Sequence, residues 1–293
     1  MPHNLLLRAV SLAVLACAVT VTVASRWTSK SFPVHEGGLV VVTGASSGLG
    51  LGTCAYLLRR RPHVRVMGTV RRAEDEARVR RAVAEAGGDA SRLETAVLDV
   101  TDDAAVRALA ARLARDKRRV VALVNNAGVS KRGPVEELDF EDVFRTNVFG
   151  LLQVTRAFVP LLAAAGPGAR LVNVGSMAGL LWRPNDTAYA ASKAAVERAS
   201  DVMRLELYVK HGISVSLIEP GFLAPDSCKR APCGDPSVHH EAVDHAVFSR
   251  FPKTRYPVGH VTESFPAWLA AWLVSALPDR VVDAAILDNA ASE

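Results

Sequence analysis

The sequence predicts an α/β fold, a doubly wound parallel sheet with helices on both faces, as a single domain. From Gly38 onward, short β-branched runs alternate with longer stretches of Ala, Leu, Arg and Glu at helical spacing. Strand, helix, strand in repetition builds parallel pairs whose crossovers cover the sheet on both sides. A glycine-rich turn follows the first of these strands directly. With 293 residues, 49% of them apolar and 22% charged, the chain can bury a sizeable core. Its composition excludes disordered, collagen-like and disulfide-scaffold classes.

Strands are expected at Leu39–Val42, Val64–Met67, Glu94–Leu98, Val120–Val124, Leu171–Val174 and Ile213–Ile218, with helices at Leu51–Arg60, Glu74–Ala86 and Ala104–Ala114 among those between them. The pattern weakens after Phe222, where Pro225, Pro232, Pro236, Pro252 and Pro257 break up residues 223–260. A long irregular insertion in a compact domain is usually a lid or binding loop. Ala267–Leu277 then returns as a very apolar helix with Trp268 and Trp272, one that either covers a pocket or rests on a membrane. The organisation expected is a hydrophobic N-terminal segment at 1–30, a core at 38–225, and a C-terminal substrate lid with its apolar helix at 226–293.

Ala9 to Ala24 is a run of sixteen uncharged residues, bracketed by Arg8 and by Arg26 and Lys30. At about 1.5 Å per residue it falls short of the ~30 Å hydrocarbon core, although Leu5 to Leu7 extend it if Arg8 snorkels. Three readings stay open: a signal anchor, a cleaved leader, and a buried N-terminal helix. The anchor reading implies a membrane-associated protein, with the endoplasmic reticulum as the expected site; the cleaved leader implies a secretory or organellar one. The formal charge is +5, but residues 1–30 hold three cations and no acid, so the remainder gives no footprint for nucleic acid. Four cysteines do not make a disulfide framework. Cys228 and Cys233 with His239 and His240 form too loose a set for zinc, so no metal is expected; the two cysteines are read as unpaired thiols or a lid disulfide. The basic runs Arg59-Arg60-Arg61 and Lys117-Arg118-Arg119 sit where they complement helix C-termini.

The glycine-rich turn reads Thr43-Gly44-Ala45-Ser46-Ser47-Gly48-Leu49-Gly50. Glycines there let the backbone turn tightly and approach a pyrophosphate, which then sits on the positive end of the following helix. Four further motifs follow in order: Asn125-Asn126-Ala127-Gly128 at the end of the fourth strand, Asn147 within Thr146-Asn147-Val148-Phe149-Gly150, Ser176 at the end of the fifth, and Tyr189-Ala-Ala-Ser-Lys193. Pro220-Gly221 closes the sixth strand.

On these motifs the sequence resembles the short-chain dehydrogenase/reductase family over about residues 38–222. The resemblance implies a Rossmann-type fold and hydride exchange between a nicotinamide dinucleotide and an alcohol or carbonyl. It implies a catalytic set of Asn147, Ser176, Tyr189 and Lys193. Tyr189 would exchange the proton, Ser176 would orient the reacting oxygen, and Asn147 would hold a water that passes protons to Lys193. The cofactor contacts it implies are Gly44, Ser46, Ser47, Gly48, Leu49, Gly50, Asn126, Ala127, Gly128, Tyr189, Lys193, Pro220 and Gly221, with Asp99 and Val100 at the adenine. Asp99 also reads as a cap for the helix that begins near Asp102. The chemistry of the residues agrees. Tyr189 and Lys193 are four apart and share a helix face, and an adjacent ammonium favours the phenolate of a group whose ordinary pKa is about 10.

Cofactor choice is read at the end of the second strand. Arg71 and Arg72 stand there with no acid before Glu74, which favours the phosphate of NADP, NAD being the alternative. Phe222-Leu-Ala-Pro225 lacks the Thr with which many relatives hold the nicotinamide carboxamide. Arg255-Tyr-Pro-Val-Gly259, Leu277-Pro278 and Val202-Met-Arg-Leu-Glu-Leu207 resemble the steroid (17-beta-hydroxysteroid) and retinol dehydrogenase branch, so a steroid or retinoid substrate is expected. The alternatives are a 3-oxoacyl or 3-hydroxybutyrate reductase and a dinucleotide-binding sensor without turnover. A homo-oligomer is implied by the resemblance alone.

Overall fold

The structure is a computed structural model that describes residues 31–221, 235–261 and 266–276. Seven strands, β1 (Gly38–Val42), β2 (Val64–Val70), β3 (Leu93–Val97), β4 (Val120–Asn125), β5 (Arg170–Val174), β6 (Ser214–Pro220) and β7 (Arg255–Val258), form one sheet in the order β3-β2-β1-β4-β5-β6-β7. Every pairing is parallel. The order reverses direction between β1 and β4, and a parallel sheet opens a crevice at the carboxyl ends of the strands at such a switch point.

Among the described residues, seven helices accompany the strands: α1 (Gly48–Arg60), α2 (Glu74–Glu85), α3 (Asp103–Arg115), α4 (Phe140–Ala165), α5 (Thr187–His211), α6 (Ser237–Phe248) and α7 (Ala267–Ala276). Side chains of a strand alternate between faces, and here both faces are apolar. Val40 and Val42 join Leu57 and Leu58 of α1, Val79 and Val83 of α2, and Val243 and Val247 of α6. Leu39 and Val41 join Val106 and Leu113 of α3 and Val154 and Phe158 of α4, with Leu207 of α5 packed alongside. Near-continuous valine and leucine along β1 and β4 is therefore the expected signature of a sheet covered twice.

All six expected strands are present. The stretch read from its prolines as an irregular lid is in part regular: α6 packs on the first face beside α1, and β7 extends the sheet. The prolines are compatible with this. Pro236 immediately precedes α6, and Pro257 sits in β7, an edge strand, where a missing N–H is tolerated. The N-terminal segment 1–30, Cys228 and Cys233, and Phe222–Pro225 lie outside the described residues.

Two polar devices hold this scaffold. At the amino end of the sheet, the almost fully buried Arg170 donates from Nη1 to Gly168 O (2.6 Å) and from Nη2 to Pro33 O (2.9 Å) and Ser249 O (3.1 Å). Toward the other end, Asn125 Nδ2 donates to Thr155 Oγ1 (2.8 Å) and Asn173 Oδ1 (3.0 Å), and Asn173 Nδ2 to Ser200 Oγ (2.9 Å). Ser200 Oγ in turn donates to Val196 O (2.7 Å). This buried ladder crosses from α4 through β4 and β5 to α5. Losing one rung leaves several buried polar groups unpaired, each at a cost of about 1–3 kcal/mol. Asn173→Ala should lower stability by about 2–4 kcal/mol, read as a shifted urea midpoint with unchanged slope.

Candidate active site

The turn from β1 into α1 has the backbone that its glycines permit. Gly44 has φ +67°, and a Cβ there would lie 2.8 Å from Ala127 Cα, so only glycine fits. Gly48 has φ +55° and faces open space. Ser47 caps α1 without a side-chain hydrogen bond, and the first turn holds no acid. The first N–H groups of the helix are thus left to a ligand, which the helix dipole requires to be anionic. Ser46 is half-buried, Ser47 is exposed, and Leu49 is half-buried. Gly50 sits against Asn126 Nδ2 and Gly44 O, leaving no room for a Cβ.

The motif at the end of β4 locks this turn. Thr43 Oγ1 accepts from the amides of both Asn126 and Ala127 at 3.0 Å, and Asn126 Nδ2 donates to Thr43 O (2.9 Å) and Gly44 O (3.1 Å). From the other side, the Ala45 amide donates to Thr69 O (2.8 Å), and Gly68 leaves the space that Ala45 Cβ fills. Thr43 opens the turn motif but has no role assigned from the sequence, and Gly68 and Thr69 lie outside every motif; a glycine inside a buried strand is the available signal. The cradle, with its uncapped helix end and open Gly48, fits a dinucleotide pyrophosphate.

Arg71 lies just beyond β2 and is exposed, with no hydrogen bond or ion pair among the described residues, while Arg72 pairs with Glu74 at 3.8 Å. Asp99 Oδ1 accepts from Thr101 N and Thr101 Oγ1, both at 2.8 Å, in a local turn. It does not cap α3; Asp102 does, accepting from Ala105 N at 3.0 Å. Val100 is buried against Gly150, where a Cβ would come within 2.8 Å of Val100 Cγ2.

The reactive side chains converge beside this cradle. Asn147 lies in a π-turn at Arg145–Gly150 that interrupts α4, a distortion that often marks a functional site. Its Nδ2 donates to Val129 O (2.9 Å) and Ser192 Oγ (3.0 Å), and its Oδ1 accepts from Val129 N (2.8 Å). One Oδ1 lone pair remains for a water. Gly128 separates it from Lys193: a Cβ there would lie 3.2 Å from Asn147 Oδ1 and 3.7 Å from Lys193 Nζ. Lys193 Nζ donates to Val174 O at 2.9 Å. Ser176 Oγ accepts from Ala178 N (3.1 Å) and approaches Pro220 O (3.5 Å), and its hydroxyl acts on the Tyr189 phenol in favour of the ionised form. The Gly221 amide donates to Val258 O at 2.9 Å, and the Ala267 amide to Gly259 O at 3.0 Å. The start of α7 is thereby tied to the same end of the sheet.

The electrostatics differ from the expectation drawn from spacing. Burial pushes the Tyr189 phenol above its ordinary value, and the opposing influences come from Ser176 and Arg183. The Lys193 ammonium lies 5.7 Å from the Tyr189 ring centroid, and burial pulls its own pKa down to about 8. The pair therefore starts with two desolvated groups rather than with an already depressed phenol. The arrangement supplies an exchangeable proton on Tyr189, a hydroxyl partner on Ser176 and a cation behind them.

The pattern of the short chain dehydrogenase family matches residues 38–232. This chain is a member of the short-chain dehydrogenase family. The short-chain dehydrogenase is 33% identical over 267 residues to YbbO, an uncharacterized oxidoreductase of Escherichia coli K12, covering 83% of this chain and 92% of that one. It is 32% identical over 232 residues to gluconate 5-dehydrogenase of Gluconobacter oxydans, covering 73% and 87%. The solved structure of a short-chain dehydrogenase from Streptomyces avermitilis superposes with a TM-score of 0.63 at 30% identity, over 75% of this chain and 86% of that one. The short-chain dehydrogenase is accordingly an NAD(P)-dependent oxidoreductase. These bacterial relatives do not place it in the steroid and retinol branch.

Two outcomes follow from this geometry. Gly44→Ala forces a Cβ against Ala127 and should weaken NADPH binding at least tenfold in calorimetry. Lys193 is charged in both folded and unfolded states below about 8, where its burial costs stability; from about 8 to 10.5 the folded state releases its proton first, and stability contributed by this group rises with pH. Melting temperatures between pH 7.5 and 10 should show that rise, and Lys193→Met should flatten it.

Proposed function

We propose that this protein is an NADP(H)-dependent oxidoreductase that interconverts an alcohol and a carbonyl on an apolar substrate of steroid, retinoid or similar lipid character. The observation that carries the reading is the apolar wall beside Ser176, whose hydroxyl acts on the Tyr189 phenol. Met177, directly after Ser176, is buried with Ala267 and Ala270 of α7, and Leu180, Leu181 and Val261 pack against them. A reacting oxygen held between the Ser176 hydroxyl and the Tyr189 phenol would leave the rest of the substrate against those side chains.

The dinucleotide, when bound, supplies or accepts the hydride. Tyr189 gives its proton to the carbonyl oxygen in reduction and takes it back in oxidation. Ser176 fixes that oxygen. Lys193 stabilises the phenolate that Tyr189 becomes, and Asn147, with Oδ1 next to the Gly128 gap, holds the water through which Lys193 regains a proton. Arg71, unengaged at the end of β2, receives the extra phosphate of NADP. Asp99 and Val100 serve the adenine side, and Gly44, Ser46, Ser47, Gly48, Leu49, Gly50, Asn126, Ala127, Gly128, Pro220 and Gly221 form the cradle. The uncharged run Ala9–Ala24 and the exposed Trp268 and Trp272 on α7 support membrane association, which suits a lipid-dissolved substrate. The likeness to a gluconate dehydrogenase favours a second reading, a polar hydroxy acid.

The test is loss or gain of the reduced-nicotinamide absorbance with the full chain, offered NADPH or NADH and a panel of steroid ketones, retinal, acetoacetyl thioesters and 5-ketogluconate. Turnover should favour the steroid or retinoid, with NADPH at least tenfold better than NADH and Arg71→Glu erasing that preference. Turnover confined to 5-ketogluconate overturns the apolar reading. Tyr189→Phe should lower kcat at least 100-fold with NADPH affinity unchanged; a fully active variant would remove Tyr189 from the chemistry.

A further inference from the structure

On α5, one turn beyond Lys193, stands Glu197, and its carboxylate is nearly inaccessible to solvent. Residues four apart share a helix face, so Glu197 lies on the buried side that carries Lys193. Its Oε2 is 3.3 Å from Arg255 Nη1. That guanidinium also holds Glu219 Oε1 at 2.5 Å and Asp201 Oδ2 at 2.8 Å. Arg255 thus reaches three carboxylates, of which Asp201 is paired as well with Arg198 Nη1 (3.4 Å) and Arg204 Nη2 (3.2 Å), so that Glu197 and Glu219 have Arg255 alone among the described ion pairs. Glu197 Oε1 is buried with no hydrogen-bond partner among the described residues. It packs directly on Gly179, where a Cβ would collide with it. Gly179 ends the short turn Met177–Gly179 whose cap is Ser176.

We propose that Glu197 is a positioning residue of the active site: its carboxylate is the buried counter-charge of Lys193 and the floor beneath the turn that presents Ser176. The proposal rests on the proton-exchange role assigned above to Ser176, Tyr189 and Lys193. A buried ammonium needs a nearby anion to stay protonated. Of the charges around Lys193, Glu197 is the one that opposes the effect of its burial. Glu197 is itself pushed up to about 7, first by burial and then by Glu219, with Arg255 pulling the other way. The charged groups facing it are Lys193 and Asp201 on its own helix, Glu219 from β6 and Arg255 from β7; the Met177–Gly179 turn brings none. Arg255 extends the arrangement to the strand that leads into α7, so the apolar wall and the proton-handling side chains share one electrostatic anchor.

The test follows the ε-carbon signals of 13C-labelled lysines in the full chain without cofactor, with Lys193→Met assigning the resonance. Glu197→Gln keeps the shape and removes the charge, and should lower the Lys193 midpoint by about 0.5–1 pH unit. Asp201→Asn, in the same cluster but two turns from Lys193, should leave that midpoint in place. With cofactor and substrate, the alkaline limb of kcat in Glu197→Gln should move down by the same interval while KM for NADPH changes less than twofold. A folded Glu197→Gln protein with wild-type Lys193 titration overturns the proposal. If that variant does not fold, the wild-type protein decides: the Lys193 signal must respond to ionisation of the Glu197 carboxyl, and a Lys193 signal blind to that step refutes it. The titration needs no substrate, so it stands apart from the functional reading, which fails instead if Tyr189→Phe turns over normally.

Discussion

The hydroxyl of Thr43 accepts two backbone amides from the end of β4, and the spacing of the whole crevice depends on that contact. It brings the β1–α1 turn so close to Ala127 that residue 44 has to be glycine. The same closeness turns the first N–H groups of α1 toward an open space and sets Gly128 between Asn147 and Lys193. A hydroxyl that accepts twice at the carboxyl end of a sheet is a small device. It joins the β1–α1 turn to the segment that leads to Gly128.

Behind this wall the protein buries polar atoms in quantity, and most of them are answered, Glu197 Oε1 and Asn125 Oδ1 being exceptions among the described residues. Asn125, Asn173, Thr155 and Ser200 answer one another and fix α4 and α5 to the sheet. Lys193 is answered by a carbonyl at 2.9 Å. Unpaired groups of this kind are expensive, so the arrangement that presents Ser176, Tyr189 and Lys193 is held in place: few alternative conformations would pair as many of them.

Much of this was legible in the sequence. The six expected strands follow from alternation and the turn at Thr43–Gly50 from its glycines, while the grouping of Asn147, Ser176, Tyr189 and Lys193 is what the family resemblance implies. Periodicity is a property of segments, and it read β1 and β4 well because valine and leucine occupy both of their faces. It failed from 235 to 261, where prolines before α6 and in edge strand β7 look like breakers until the open edge of the sheet is seen. The role of Asp99 in a local turn depends on which neighbouring acid reaches Ala105. The phenol of Tyr189 stands above its ordinary pKa because burial is a tertiary quantity that spacing does not contain. Glu197, Glu219, Asp201 and Arg255 come from three separate elements, and no local pattern marks them as one cluster.

The Arg170 clamp has a mechanical meaning. Its guanidinium grips Pro33, Gly168 and Ser249 at the amino edge of the sheet, the edge opposite the crevice. Any load applied through the chain upstream of Pro33 would be borne there, across the width of the sheet from Ser176 and Tyr189. Strain arriving at Pro33 therefore meets a buried guanidinium with three carbonyl partners before it can reach the crevice.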